Sequence, residues 1–142
     1  MAANVLDRFE FRSVKANEAE EVAEIEKICF PPHEVCSKKD MFERVEHAPE
    51  LFLVAVDKET GTIAGFLNGL ATDEEAFRDE FFTDITVHNP EGKNIFILGL
   101  DVRPEYRRQG LAREIMNQYI KREQVNGRKM LKLTCLEQKV EM

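Results

Sequence analysis

The stretch from 94 to 112, NIFILGLDVRPEYRRQGLA, has the residue types that bind an anion. An apolar strand pattern at 95–102 leads into a short basic loop, and a helical pattern begins at Gly110. A helix N-terminus presents unpaired amides and the positive end of its dipole, so it binds phosphate well. Gly110 lets a ligand approach the backbone closely, while Arg107, Arg108 and Arg113 add positive charge. We therefore expect this stretch to hold the pyrophosphate of a phosphorylated cofactor.

Charge is distributed unevenly along the chain, and the imbalance fits the same interpretation. Between Arg103 and Lys132 there are nine Lys or Arg and three Glu, a balance of +6 in a chain whose net charge is −7. An anionic ligand would be drawn to this stretch. The acidic remainder argues against nucleic-acid binding and favours cationic substrates such as amines. A basic helix with a structural glycine would show the same charges without any ligand.

Length and composition set limits on the kind of protein. The 142 residues, 43% of them hydrophobic, suit a single domain with one core. No long apolar run or N-terminal signal pattern is present, so we expect a soluble cytoplasmic protein with no membrane contact. Cys29, Cys36 and Cys135 lack the spacing of a zinc site or of a disulfide framework. Reduced thiols and no bound metal are therefore expected.

The order of predicted elements is β-α-α-β-β-(α)-β-α-β. Strands are expected at 9–14, 51–56, 62–70, 95–102 and 129–134, and the main helices at 19–30, 38–48 and 110–125. Asn17 with Glu20 would cap the first main helix, and Ser37 the second, whose apolar positions are Met41, Phe42 and Val45. Glycines 65 and 69 suggest a bulge, close backbone approach or slack packing. We predict a mixed α/β sheet with a helix crossover between its last two strands.

The segment from Leu100 to Ala112 resembles the acetyl-CoA binding segment of the GCN5-related N-acetyltransferases. That family's pattern is Gln or Arg, any two residues, Gly, any residue, then Gly or Ala, and Arg107, Gly110 and Ala112 match it. FRSV at 11–14 and TDEE at 72–75 are similar to the arylalkylamine (serotonin) N-acetyltransferase branch. The resemblance covers nearly all of the chain, from about 9 to 134. It implies the mixed-sheet acetyltransferase fold.

The resemblance also implies how acetyl-CoA would bind. Backbone amides at 108–113 would hold the pyrophosphate, the pantetheine arm would pair along 100–102, and the amide near Leu100 would polarise the thioester carbonyl. The residues implied in cofactor binding are Leu100, Asp101, Val102, Arg107, Arg108, Gln109, Gly110, Leu111, Ala112 and Arg113. Strict strand alternation would direct the Asp101 side chain away from Phe96, Leu98 and Leu100, in a structural or loop-capping role.

The catalytic groups of the arylalkylamine branch are not matched in this sequence. Phe96 and Leu98 occupy the places of its two proton-relaying histidines. Its acidic tyrosine would fall just beyond Met142, as would the closing helix and the last two strands, which suggests a C-terminally truncated domain. His33 is a candidate base, although a solvent-facing loop histidine is the more common case. A water-mediated proton path would also suffice. His47 and His88 are expected at the surface, and Cys135 as an inert buried thiol.

These observations favour an acetyl-CoA dependent N-acetyltransferase that acts on a small primary amine. Phe30, Phe96 and Leu98 are expected to line the amine pocket, although phenylalanines in a small domain mostly serve the core. The alternatives are a CoA-binding module without catalysis and a nucleotide-phosphate binder, which would lack the P-loop spacing. Both a monomer and a homodimer are compatible with the sequence.

Overall fold

The computed structural model describes residues 5–32, 36–76 and 80–133. Within them one five-stranded sheet has the order β1-β2-β3-β4-β5. The strands are β1 (Phe9–Ser13), β2 (Phe52–Asp57), β3 (Ile63–Thr72), β4 (Asn94–Val102) and β5 (Met130–Leu133). The helices are α1 (Val5–Arg8), α2 (Ala19–Cys29), α3 (Lys38–His47), α4 (Glu80–Thr83) and α5 (Leu111–Val125). The predicted mixed α/β fold is confirmed. The short helix α1 was not predicted.

The sheet is antiparallel from β1 to β4 and parallel between β4 and β5. The parallel pair covers only Asn94–Ile97 against Met130–Leu133. α5 makes the crossover that a parallel pair requires. The sequence pattern had predicted this crossover correctly.

The ends of the first two main helices test the predicted caps. The proposed cap at Asn17 is wrong: a 3-10 turn over Ala16–Glu18 comes before α2. In this tighter turn the Glu18 carboxylate reaches back to accept from the backbone N–H of Lys15 at 2.8 Å, and an ion pair with Arg12 at 2.7 Å holds it there. Ser37 caps α3 as predicted, since its Oγ accepts from the N–H of Asp40 at 3.1 Å.

Hydrophobic clusters cover both faces of the sheet. On one face α5 contributes Leu111, Ile115 and Tyr119, all 1% exposed or less, as their spacing predicts. On the other face α2 and α3 pack onto β2 and β3 through residues such as Ile25 and Met41. The spacing was misleading at Phe42, which is 39% exposed, because the buried side of α3 is formed by Met41, Arg44 and Val45.

A bulge in β4 changes which side chains face α2 and α3. Asn68 pairs with Gly99, but the next residue of β3 pairs with Ile97, so Leu98 is one extra residue in β4. Alternation therefore shifts by one position across the bulge. Leu100 packs towards α5, whereas Asp101 is the register partner of Phe66, which belongs to the α2 and α3 cluster. The prediction that Asp101 is directed away from Phe96 and Leu98 is wrong for this reason.

Candidate functional site

The loop between β4 and α5 has two residues in the left-handed backbone region. After a 3-10 turn over Pro104–Tyr106, Arg108 has φ +63° and Gly110 has φ +81°. The first bond from α5 to its own N-terminus runs from the N–H of Glu114 to the carbonyl of Gly110, at 3.1 Å. The N–H groups of residues 111–113 precede that bond, so they have no hydrogen-bond acceptor within the helix. They form a concentrated set of donors suited to phosphate oxygens.

A depression of about 250 Å³ opens directly in front of these amides. Its lining is Val102, Tyr106, Arg107, Arg108, Gly110, Leu111, Ala112 and Arg113. Seven of the ten residues implied by the resemblance are therefore together around one open volume. The other three are Leu100, Asp101 and Gln109. Tyr106 was not among the ten.

A network at the end of β2 holds the loop in place. Tyr106 donates its hydroxyl hydrogen to Oδ2 of Asp57 at 2.7 Å, and the guanidinium of Arg8 lies 3.6 Å from the same oxygen. This hydrogen bond from Tyr106 holds the pKa of Asp57 below its usual range and raises the pKa of Tyr106. Arg8 also donates to Oε1 of Gln109 at 3.0 Å. Gln109 thus supports the loop from outside the depression. Sequence reasoning missed Arg8 and Asp57, which are distant from the loop in the chain.

Arg107 is oriented by the end of β4. Its Nε donates to the carbonyl of Val102 at 3.0 Å, and its Nη2 lies 3.5 Å from Sγ of Cys29. Burial raises the pKa of Cys29 to about 11, so this thiol is protonated near neutral pH. The contact with Arg107 is thus that of a neutral sulfur, and Arg107 keeps its charge for a ligand. Nothing here marks Cys29 as a nucleophile.

The second half of β4 has one strand partner among the described residues. The described part of β5 pairs with Asn94–Ile97, while β3 pairs with β4 as far as Val102. Backbone donors and acceptors on the β5 side of 98–102, apart from the carbonyl of Val102 that accepts from Arg107, are therefore placed to pair with an extended ligand. This edge leads towards the depression at the start of α5.

Two of the three residues predicted to line an amine pocket lie in one apolar cluster. Phe96 is fully buried, with its ring 4.9 Å from that of Phe81, and Leu98 belongs to the same cluster. Phe30 is half-buried just after α2, next to Cys29, whose thiol contacts the carbonyl of Val102. Phe96 and Leu98 therefore lie in one cluster. Phe30 follows Cys29, whose thiol contacts the C-terminal end of β4 at Val102. Their predicted role in binding an amine stays a prediction.

The structure describes two of the three histidines. His33 and Cys135 lie outside the described residues. His47 is exposed as expected. The surface location predicted for His88 is wrong, because its side chain is 3% exposed. The loop after β3 folds back, so that Nδ1 of His88 accepts from the N–H of Ala71 at 3.0 Å, while Nε2 lies 3.2 Å from Oε2 of Glu50. His88 is a structural residue.

Among residues 5–32, 36–76 and 80–133, no group of three or more His, Cys, Asp or Glu side chains could hold a metal ion. No helix in those ranges has the length and apolar character needed to cross a membrane.

Known proteins resemble this chain both in sequence and in fold. Probable hydrolase YhcX of Bacillus subtilis is 28% identical in an alignment of 121 residues that covers 78% of this chain and 23% of that protein. The loading GNATL domain of CurA from Lyngbya majuscula superimposes with a TM-score of 0.70 at 14% identity, over 80% of this chain and 57% of that one. Diaminobutyrate acetyltransferase EctA from Paenibacillus lautus, in complex with L-2,4-diaminobutyric acid and coenzyme A, gives 0.63 at 19% identity, over 89% and 65%. The chain thus spans about a quarter of YhcX and less than two thirds of the other two.

The family model for Acetyltransferase (GNAT) matches residues 19–139, which include the whole β4–loop–α5 unit. The resemblance noted at the loop therefore extends over most of the sequence. The chain belongs to the acetyltransferase (GNAT) family.

Proposed function

We propose that this protein binds acetyl-CoA and transfers the acetyl group to a primary amine. The observation that carries the proposal is the loop before α5, where left-handed Arg108 and Gly110 surround a depression that the first amides of the helix face. Three arginines line that depression, namely Arg107, Arg108 and Arg113. Backbone amides and arginines together favour a pyrophosphate over a single carboxylate.

The rest of the cofactor fits along β4. Its pantetheine arm would pair with the edge of β4 at 100–102, on the side where the described part of β5 no longer pairs. The N–H near Leu100 would then polarise the thioester carbonyl, and a neutral amine would attack the carbonyl carbon directly. An acetyl-CoA cofactor also agrees with the CoA complex of the EctA neighbour. The closer likeness to the arylalkylamine branch is part of this proposal, as is His33 as a weak candidate base.

Isothermal titration calorimetry with acetyl-CoA tests the proposal. Gly110→Glu puts a negative charge into the depression and should weaken binding at least about tenfold, because the carboxylate repels the pyrophosphate. Gly127→Glu is a matched control: Gly127 has φ +85° and open space around it, as Gly110 does, but lies after the far end of α5. The control should bind as the parent does. No binding by the parent, or equal loss in both variants, would contradict the proposal.

One observation favours a second function, a CoA-binding module without catalysis. Phe96 and Leu98, which stand where the arylalkylamine branch has its histidines, are buried in an apolar cluster and offer no proton carrier. Measuring free CoA released from acetyl-CoA with and without added amines separates the two functions. Amine-dependent release supports transfer, and tight binding without release supports the module.

A further inference from the structure

Gly99, on the face of β4 that α2 and α3 cover, has space where the other interior sheet glycines have none. A Cβ added at Gly65 or Gly69 would come within 2.6 or 2.7 Å of a backbone oxygen. At Gly99 its nearest described neighbours would be Oδ1 of Asp101 at 3.5 Å and Nδ2 of Asn68 at 3.7 Å. Both distances are ordinary van der Waals contacts, so the described residues leave room there for one methyl-sized group. Two polar atoms of different chemistry converge on that space.

Asn68 is the first of the two polar side chains. It is 1% exposed, and its Oδ1 accepts from Nη1 of Arg44 at 3.2 Å. This bond fixes the amide orientation, because a guanidinium can only donate. Nδ2 therefore faces away from Arg44, and it has no acceptor among the described residues. A buried donor without an acceptor is unfavourable, and an oxygen atom of a ligand would satisfy it.

Asp101 is the second polar side chain. It is 1% exposed, and its negative charge helps to raise the pKa of Cys29, after the larger effect of burial. Asp101 comes two residues after Gly99 in β4, so both lie on the same face of the strand, and the bulge at Leu98 sets that face towards α2 and α3. It follows Leu100, whose amide would polarise the thioester in the proposed function. A carboxylate on the residue next to that amide suits an ammonium group.

We propose that the space above Gly99 receives the acyl acceptor, an amine with a hydroxyl or carbonyl oxygen on the neighbouring carbon. Asp101 contacts its nitrogen, and Nδ2 of Asn68 donates to its oxygen. Because both protein atoms lie within 4 Å of one point, the nitrogen and the oxygen must be close together in the substrate. This inference rests on the proposed function and names its substrate class and acceptor residues.

The reaction balances with these groups. The bound ammonium gives one proton to Asp101, which passes it to solvent, and leaves a neutral amine. Its nitrogen forms a bond to the acetyl carbon, and the bond between that carbon and sulfur breaks. The second proton lost by nitrogen ends on the CoA thiolate, so that an amide and free CoA are the products.

Two amines of equal size test the substrate class, 2-aminoethanol and n-propylamine. The parent should show kcat/KM at least about tenfold higher for 2-aminoethanol, since n-propylamine leaves Nδ2 of Asn68 without an acceptor. Asn68→Ala should remove this preference and leave acetyl-CoA affinity unchanged. Equal use of both amines by the parent would overturn the proposal. So would acetyl-CoA binding with turnover of neither amine, although the proposed cofactor site would then stand.

Gly99→Ala tests the space itself. The added methyl makes ordinary contacts and Gly99 has no positive φ, so the thermal midpoint and acetyl-CoA affinity should match the parent. The methyl nevertheless fills the acceptor space, and kcat/KM for 2-aminoethanol should fall at least about tenfold. Unchanged turnover in Gly99→Ala would overturn the proposal.

Asp101→Asn tests the proton acceptor while it keeps the shape of the side chain. The variant should bind acetyl-CoA as the parent does, lose at least about a hundredfold in kcat, and lose the acidic limb of the kcat/KM–pH profile. A parallel fall in acetyl-CoA affinity and in the thermal midpoint, with an unchanged pH profile, would assign Asp101 a structural role and overturn this part. Failure of the parent to bind acetyl-CoA would instead remove the proposed function.

Discussion

The loop before α5 and the α2-facing side of β4 are built in opposite ways. The loop is exposed, and its residues are consecutive in sequence, with two left-handed positions and a helix N-terminus. The face above Gly99 is buried and assembled from β3, β4 and α3, with a bulge that sets which side chains meet. The first region offers mainly backbone amides to a ligand, and the second offers side chains.

This difference suggests a division of roles. Backbone amides at a helix N-terminus bind any pyrophosphate and depend little on the side chains around them. Side chains brought together by strand register can be exchanged one at a time, and each exchange alters which small molecule fits. We infer that, in the proposed function, the loop binds the cofactor and the β4 face selects the acyl acceptor.

The largest expected effect on the free energy of unfolding distinguishes Gly69, which is tightly packed, from Gly99, which has space beside it. Gly69→Ala should lower the free energy of unfolding by about 2–3 kcal/mol, because its Cβ would lie 2.7 Å from the carbonyl oxygen of Phe96 and 2.9 Å from the hydroxyl of Tyr119. Gly99→Ala should change it by less than about 0.5 kcal/mol. Denaturant unfolding of both variants measures the contrast. Equal losses would mean that the space above Gly99 is not open, and the proposed acceptor site would lose its basis.

The same contrast explains how far the sequence could predict the molecule. The place of the loop between β4 and α5 was predicted, because the strand pattern and the helical pattern on either side of it are local, whereas its contacts with Arg8 and Asp57 were not. The orientation of Asp101 was predicted wrongly, because alternation counts residues and the extra Leu98 of the bulge breaks the count. Asn68 carried a signal that was not used, since it is a polar residue in the middle of an apolar strand. The burial of His88 depends on a contact with Glu50, far along the chain, that no local pattern shows.

A pH experiment tests whether the hydrogen bond between Tyr106 and Asp57 stabilises the loop before α5. The Asp57 carboxylate has a lowered pKa through its hydrogen bond from Tyr106, so it stabilises the fold above about pH 4 and this stability is lost as pH falls through the lowered value. The raised pKa of Tyr106 acts at the other end, with stability present below about pH 10 and lost as pH rises further. Tyr106→Phe removes the largest cause of the first effect and all of the second, while Glu59 and Arg8 still lower the pKa of Asp57.

Unfolding curves of the parent and Tyr106→Phe from pH 3 to pH 9 check this expectation. The parent should be more stable at neutral pH, and the difference should shrink as the solution becomes acidic, because protonated Asp57 no longer benefits from the donor. Equal stability of the two proteins over this range would mean that the ring packing of Tyr106, which Phe keeps, anchors the loop and that its hydroxyl does not.

Two substitutions test the backbone conformation of the loop. Each should change the free energy of unfolding by about 1 kcal/mol, with opposite signs. Arg108→Gly should raise the free energy of unfolding by up to about 1 kcal/mol, since φ +63° strains a side-chain-bearing residue. Gly110→Ala should lower it by about 1 kcal/mol for the same reason at φ +81°. Thermal or denaturant unfolding gives the sign. A Gly110→Ala variant as stable as the parent would indicate that the loop relaxes out of the left-handed conformation.

The smallest expected effect concerns Gln109, which touches the loop from outside the depression. Gln109→Ala removes the exposed hydrogen bond from Arg8, at 3.0 Å, and should cost less than about 0.5 kcal/mol of stability. Acetyl-CoA affinity should fall no more than about threefold, because Gln109 supports the loop without facing the ligand. Calorimetric titration of this variant beside Gly110→Glu measures both. A loss as large as that of Gly110→Glu would place the Gln109 side chain in contact with the cofactor, and the loop would then bind through side chains as the β4 face does.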